Sequence, residues 1–184
     1  MKSSKLELRP LRPEDEASFN DAVAVFKNET PPFEFAFDFD ESVPFIEYID
    51  KLEGWSLGEG LPDNFVPSTF LVGVVDSVVV GRLSIRHRLN DSLERVGGHI
   101  GYGAVTSYRR RGYGTEMLKQ ALPFCSLLGI KKALITCDVD NFGSQKIIER
   151  CGGVFENVTD EPQLTVQKRR YWIRINDGSS NSAE

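Results

Sequence analysis

The chain has 184 residues, 40% of them hydrophobic, which suits one domain around one core. Its formal net charge of −5 lacks the basic footprint of a general nucleic-acid binder. No apolar run approaches a membrane span, residues 1–20 lack a secretory-signal pattern, and three cysteines without metal-ligand spacing suit reduced thiols in a cytoplasm and no bound metal.

Residues 5–11 set Leu6, Leu8 and Leu11 among polar neighbours and predict a first strand. Pro13 suits a first helical turn with acids at 14–16 at its positive end, and Phe19, Ala22, Val23 and Phe26 recur at helical spacing until Pro31-Pro32. Residues 33–39 alternate aromatics with Glu34, Ala36 and Asp38 and read as an irregular connection. A second helix is predicted over 42–53 through Phe45, Ile49 and Leu52, then a long glycine- and proline-bearing loop over 54–67.

From Thr69 the pattern turns to β. Residues 70–75 and 78–86 flank Asp76-Ser77 as a hairpin, and residues 96–105 form a third segment with glycine at 97, 98, 101 and 103. So many glycines in a strand predict a bulge or the close approach of a ligand. Residues 112–128 read as a helix with Met117, Leu118, Ala121, Leu122 and Cys125 on one side, Pro123 within it and Gly129 at its end. A strand at 133–137, a helix at 144–151 closed by Gly152-Gly153, and a hairpin of 154–158 with 164–175 around Asp160-Glu161-Pro162 follow. This makes a single domain over 1–175 with a polar tail, 176–184, expected to be disordered. The order βααβββαβαββ describes an α/β domain with a mixed sheet.

Charge is unevenly placed. Residues 29–63 hold ten acids and one base, Lys51, whereas residues 82–111 hold seven arginines against Asp91 and Glu94. Solvated surface accounts for any single one of these; as lobes they suit a cation on one side and a polyanion on the other.

The most informative stretch is a strand, then Arg109-x-x-Gly112-x-Gly114, then a helix. A helix start offers unpaired N–H groups and a positive dipole end, and glycines let backbone amides approach a diphosphate. A phosphate loop would need Gly-Lys-Ser/Thr, and a dinucleotide fingerprint a third glycine where Thr106 or Met117 stands, so neither fits.

On these residues the chain resembles the GCN5-related N-acetyltransferase (GNAT) family, whose hallmark is Gln/Arg-x-x-Gly-x-Gly/Ala between its fourth strand and third long helix. A second landmark, Asn141-x-x-Ser144 between a strand and a short helix, also fits, and the resemblance covers residues 70–175. It implies a mixed sheet of about seven strands, splayed between the fourth and fifth. It also implies acetyl-CoA as co-substrate, with direct transfer of acetyl to an amine.

The resemblance implies roles for named residues. Backbone groups of Ala104 and Val105 would lie beside the pantetheine arm, with a bulge aiming an N–H at the thioester carbonyl. Amides of Arg110, Gly112, Gly114 and Thr115 would hold the pyrophosphate, with Arg109 or Arg111 reaching a phosphate. Asn141 and Ser144 would lie near the pantetheine, although Asn141 equally suits a helix N-cap. Many relatives carry an acid tyrosine four residues beyond the position of Ser144; this chain has Ile148. His99 stands near where some relatives place a glutamate and is the candidate base, set against the reading of a half-buried strand histidine bonded to backbone. Glu94 and Tyr102 stand behind it, and Cys151 falls on the apolar side of a helix as a core thiol.

The acceptor lobe would be residues 29–63, facing Lys168, Arg169 and Arg170. Its acids and aromatics suit a cationic amine, small molecule or peptide, while the basic hairpin suits an acceptor bearing a carboxylate. The alternative is an inactive acyl-CoA-binding sensor of the same fold. The edges of the last hairpin leave room for a homodimer that nothing in the sequence specifies.

Overall fold

Asp76 and Ser77 both take left-handed backbone, with φ of 48° and 63°, the turn whose twist matches two antiparallel strands. In the computed structural model they join β2 (Ser68–Val75) to β3 (Val78–Arg86). The structure describes residues 5–30, 33–159, 161 and 165–176. With β1 (Glu7–Arg9) and β4 (Ile100–Ala104) these strands form one antiparallel sheet in the order β1-β2-β3-β4. A second sheet has the order β5-β7-β6, built from β5 (Lys132–Asp138), β6 (Val154–Thr159) and β7 (Lys168–Arg174). Helices α1 (Glu16–Lys27), α2 (Phe45–Leu57), α3 (Tyr113–Leu127) and α4 (Phe142–Arg150) complete the expected order βααβββαβαββ.

Strand periodicity divides the core in two. On β2, Leu71 joins Leu83, Ile85, Met117 and Leu118 beneath α3, while Phe70 and Val72 join Phe19, Phe26, Phe35, Tyr48 and Trp55 beneath α1 and α2. Leu71 and Val72 are both sealed from solvent, so this sheet is covered on both faces.

Several boundaries differ from the sequence reading. Helix α2 runs on through Trp55, because Phe45, Tyr48, Leu52 and Trp55 keep helical spacing, and left-handed Gly58 stops it. Residues 93–97 are a π-helical turn rather than strand: Asn90 Oδ1 accepts the Leu93 amide at 2.9 Å, and Arg86 donates to the Gly97 and Gly98 carbonyls at 3.2 and 3.1 Å. The expected bulge in β4 is absent; its register against β3 is unbroken from Ile100 to Ala104, and the irregularities fall at Gly73/Val74 and Phe155/Asn157. Helix α4 starts at Phe142, capped by Asn141. The expected stop at Pro31-Pro32, the turn residues Asp160 and Pro162, Leu164 and the tail beyond residue 176 lie outside the described residues.

The two sheets meet where β4 begins. The His99 amide donates to the Leu134 carbonyl at 2.7 Å, and the Leu134 amide donates to His99 Nδ1 at 3.0 Å. The His99 carbonyl is already taken by the Arg86 amide at 2.8 Å, so the imidazole stands in for it. Beyond this staple β4 and β5 belong to separate sheets, which is the splay expected between the fourth and fifth strands.

Candidate functional site

The turn between β4 and α3 is built from two left-handed residues, Arg110 at φ 61° and Gly112 at φ 86°. Alternating backbone hands turn successive N–H groups to one side and make a concave anion nest. The two glycines do different work. A Cβ on Gly112 would meet nothing within 4 Å, so glycine is there for its positive φ. A Cβ on Gly114 would stand 2.9 Å from Ile147 Cδ1, so glycine there lets α4 lie close against α3. The first intrahelical bond runs from the Glu116 amide to the Gly112 carbonyl at 3.0 Å, which leaves the amides of Tyr113, Gly114 and Thr115 without helical acceptors at the positive end of α3.

The Arg109 side chain turns elsewhere. Its Nη2 donates to both Glu29 oxygens at 2.7 and 2.8 Å, and its Nε donates to the Ala104 carbonyl at 2.9 Å. Thr106 Oγ1 donates to the same carboxylate. Burial alone would raise the Glu29 pKa, but the hydrogen bonds from Arg109 and Thr106 outweigh it and hold the carboxyl below its usual range. Arg109 thus ties the turn to the end of α1, and side-chain charge for a polyanion falls to Arg110 and to Arg111, which lies 5.2 Å from the Tyr108 ring.

Along β4 the Val105 amide donates to the Val80 carbonyl at 2.9 Å, which corrects its expected place as a free backbone group. Strand alternation then turns the peptide groups of Tyr102 and Ala104 away from β3 and toward the splay. With the Ala104 carbonyl held by Arg109, this edge presents the N–H groups of Tyr102 and Ala104 as donors.

Across the splay, the Tyr102 hydroxyl lies 2.7 Å from Ser144 Oγ, and the Ser144 amide donates to Asn141 Oδ1 at 3.0 Å. Asn141 is therefore the N-cap of α4. Burial pushes the Tyr102 phenol well up, so it stays protonated. Burial likewise pushes the neighbouring Cys137 thiol up to about 11, with a Ser144 hydrogen bond pulling back. Ile148 is sealed in the core, so the helix position of the family's tyrosine is closed here. The Tyr102–Ser144 pair, 42 residues apart in the chain, carries no spacing signal that sequence reading could use.

His99 is 9% exposed, and burial, then the Arg86 charge, lower its pKa. With Nδ1 accepting from Leu134, the neutral ring carries its proton on Nε2 and has no free basic nitrogen. The acids of the acceptor lobe are mostly exposed; Asp38 pairs with Lys51 and Glu41 with Lys27. Lys168 pairs with Asp138, Arg169 donates to the Tyr171 hydroxyl, and Arg170 engages Glu156 and the Glu94 carbonyl. Beneath the lobe lie Arg82 and Arg86 instead; burial, then Arg86, bring the Arg82 pKa down to about 9, with Glu34 offsetting part.

A cavity of about 1150 Å³ between α3, Cys151 and the second sheet is lined by no residue of the turn or of β4, so the chemistry above lies outside it. Among the described residues no three His, Cys, Asp or Glu side chains gather to hold a metal ion, and no helix is long and apolar enough to cross a membrane.

No curated protein sequence matches the chain. Solved structures match its fold along nearly its whole length. RimL, a ribosomal L7/L12 alpha-N-protein acetyltransferase in complex with coenzyme A, is 18% identical with a TM-score of 0.66, covering 95% of this chain and 97% of that one. Mycobacterium smegmatis RimJ in complex with CoA-disulfide is 19% identical with a TM-score of 0.66, covering 92% and 81%. A Salmonella typhimurium acetyl transferase that modifies the N-terminal serine of L7/L12 is 16% identical with a TM-score of 0.65, covering 95% and 97%. The sequence profile of the acetyltransferase (GNAT) domain matches residues 5–154, and the chain belongs to that family.

Proposed function

We propose that this chain moves acetyl from acetyl-CoA to an amine, and that the nest at residues 110–115 holds the donor. The observation that carries this reading is the nest's position: it opens at the head of α3, beside the free edge of β4 and the splay. Acetyl-CoA supplies an activated acetyl thioester. The amides of Arg110, Gly112, Gly114 and Thr115 grip its diphosphate, with Arg110 and Arg111 adding charge. The peptide groups of Tyr102 and Ala104 align the pantetheine arm as an added strand, and the Ala104 N–H polarises the acyl carbonyl. The Tyr102–Ser144 hydroxyl pair holds the proton needed by the departing sulfur, taking over from the tyrosine that Ile148 replaces. His99 positions β4 against β5 rather than taking a proton, so the acceptor enters as a free amine, and the proton it sheds as the amide forms replaces the one that the hydroxyl pair gives to sulfur.

The neighbours named for L7/L12 support a peptide α-amine among the acceptors, and the exposed acids of residues 34–63 would draw a cationic one. Calorimetric titration with acetyl-CoA, paired with thiol release on a panel of amines, tests the reading. Binding with turnover supports it. Binding without turnover gives the sensor, which the closed position at Ile148 favours. Absence of binding removes both.

A further inference from the structure

The sheet face beneath α1 and α2 holds two arginines that no carboxylate pairs within salt-bridge distance among the described residues. Arg82 is 3% exposed, its guanidinium lying 4.7 Å from the Phe33 ring and 4.8 Å from the Phe37 ring. Its Nη2 donates to the Glu34 carbonyl at 2.8 Å, its Nη1 reaches Ser84 Oγ and the Gly101 carbonyl at 3.3 Å each, and its Nε is buried without a partner. Arg86, four residues along the same face of β3, is held by the Gly97 and Gly98 carbonyls. A buried guanidinium and a half-buried one this close repel each other, and such an arrangement is costly unless something negative completes it.

Gly101 shows where that something fits. It sits in regular strand, so no left-handed backbone requires glycine. No crowding requires it either, because a Cβ there would find its nearest neighbours at ordinary contact distance. Those neighbours are Arg82 Nη1 at 3.6 Å, Ser84 Oγ at 3.6 Å and Arg86 Nη1 at 3.7 Å. Three polar atoms thus flank the space that a side chain at position 101 would fill, and glycine leaves them open to a carboxylate approaching over the strand. Gly101 stands three residues from Ala104, or roughly 10 Å along the strand.

We propose that the acceptor carries a carboxylate that seats over Gly101, bonded by Arg82, Ser84 and Arg86, while its amine reaches the splay. This rests on the amine-acetylation reading and narrows it to amines with a carboxylate several bonds away. The site favours such acceptors over amines whose positive charge is their only polar feature.

The test uses the full chain with acetyl-CoA and amino acids from glycine to 6-aminohexanoate, each paired with its carboxamide. Peptide amides beginning Ser-Glu or Ser-Gln form a second arm, which separates a free amino acid from a protein N-terminus as the source of the carboxylate. In one arm the acid should exceed its amide at least tenfold in kcat/KM. Arg86→Gln should bring that ratio to within threefold of unity while acetyl-CoA affinity stays within twofold. Arg82→Gln serves as the second variant, with its melting temperature recorded. Equal rates for acids and amides, or a ratio that survives Arg86→Gln, overturns the proposal. N-acetylated amino acids and their amides, titrated by thermal shift, give a readout independent of turnover. If acetyl-CoA fails to bind, the transferase reading falls; if these acids fail to stabilise the wild type more than the amides do, the carboxylate seat falls.

Discussion

Replacing His99 by leucine separates the two roles that histidine could fill. The variant keeps much of the ring's volume but leaves the Leu134 amide without its acceptor, in a residue sealed from solvent. An unsatisfied buried N–H costs about 1–3 kcal/mol. For a chain of this size each kcal/mol lowers Tm by about 2–4 °C, so a loss of about 4–8 °C is expected for a mid-range cost. The pH dependence has a defined sign. Burial and Arg86 hold the folded-state pKa below the ordinary 6.5, so the unfolded chain takes up a proton that the folded one resists. The contribution is complete above about 6.5 and is lost as pH falls from there toward the lowered folded value. Calorimetric scans at pH 8 and pH 5 should show the gap between wild type and variant shrinking at the lower pH. His87, also lowered by burial, adds the same slope to both proteins and cancels in the difference. The profile of kcat/KM against pH should keep its shape. An unchanged Tm with kcat/KM reduced a hundredfold or more would refute the positioning role and make His99 the base.

Gly112→Ala introduces a side chain at φ 86° into open space, so the cost is backbone strain of about 1–2 kcal/mol, read as weaker acetyl-CoA binding by roughly tenfold in calorimetry. Glu29→Gln removes a part-exposed bidentate pair; Tm should move little, since such pairs contribute about 0.5 kcal/mol, while loosening of the turn weakens acetyl-CoA about threefold. Tyr102→Phe should lower kcat by about a hundredfold with little change in the KM for acetyl-CoA, in single-turnover assays that isolate the chemical step. Ser144→Ala added to it should cost little more, because the two hydroxyls act as one unit.

What the sequence made legible was local. The Arg109–Gly114 turn announces itself because positive φ, missing Cβ atoms and a helix start are adjacent in the chain. Glu29 stayed hidden because its partner Arg109 is 80 residues away. The run Arg82-Leu83-Ser84-Ile85-Arg86 alternates polar and apolar residues, which reads as one wet face and one dry face. Arg82 and Ser84 are buried nonetheless, because Phe33 and Phe37 stack on Arg82 from a segment that forms neither strand nor helix. Val96 looks like strand by composition, yet the carbonyls of the residues after it are drawn off by Arg86.

The staple at His99 and Leu134 also gives the cleft a floor. Ala104 stands five residue steps from His99, or roughly 17 Å of open strand edge, and below that the sheets are shut. With the acyl carbonyl at the Ala104 N–H, as proposed, that length of edge is left for the approach of the acceptor, and the imidazole marks the far end of the groove.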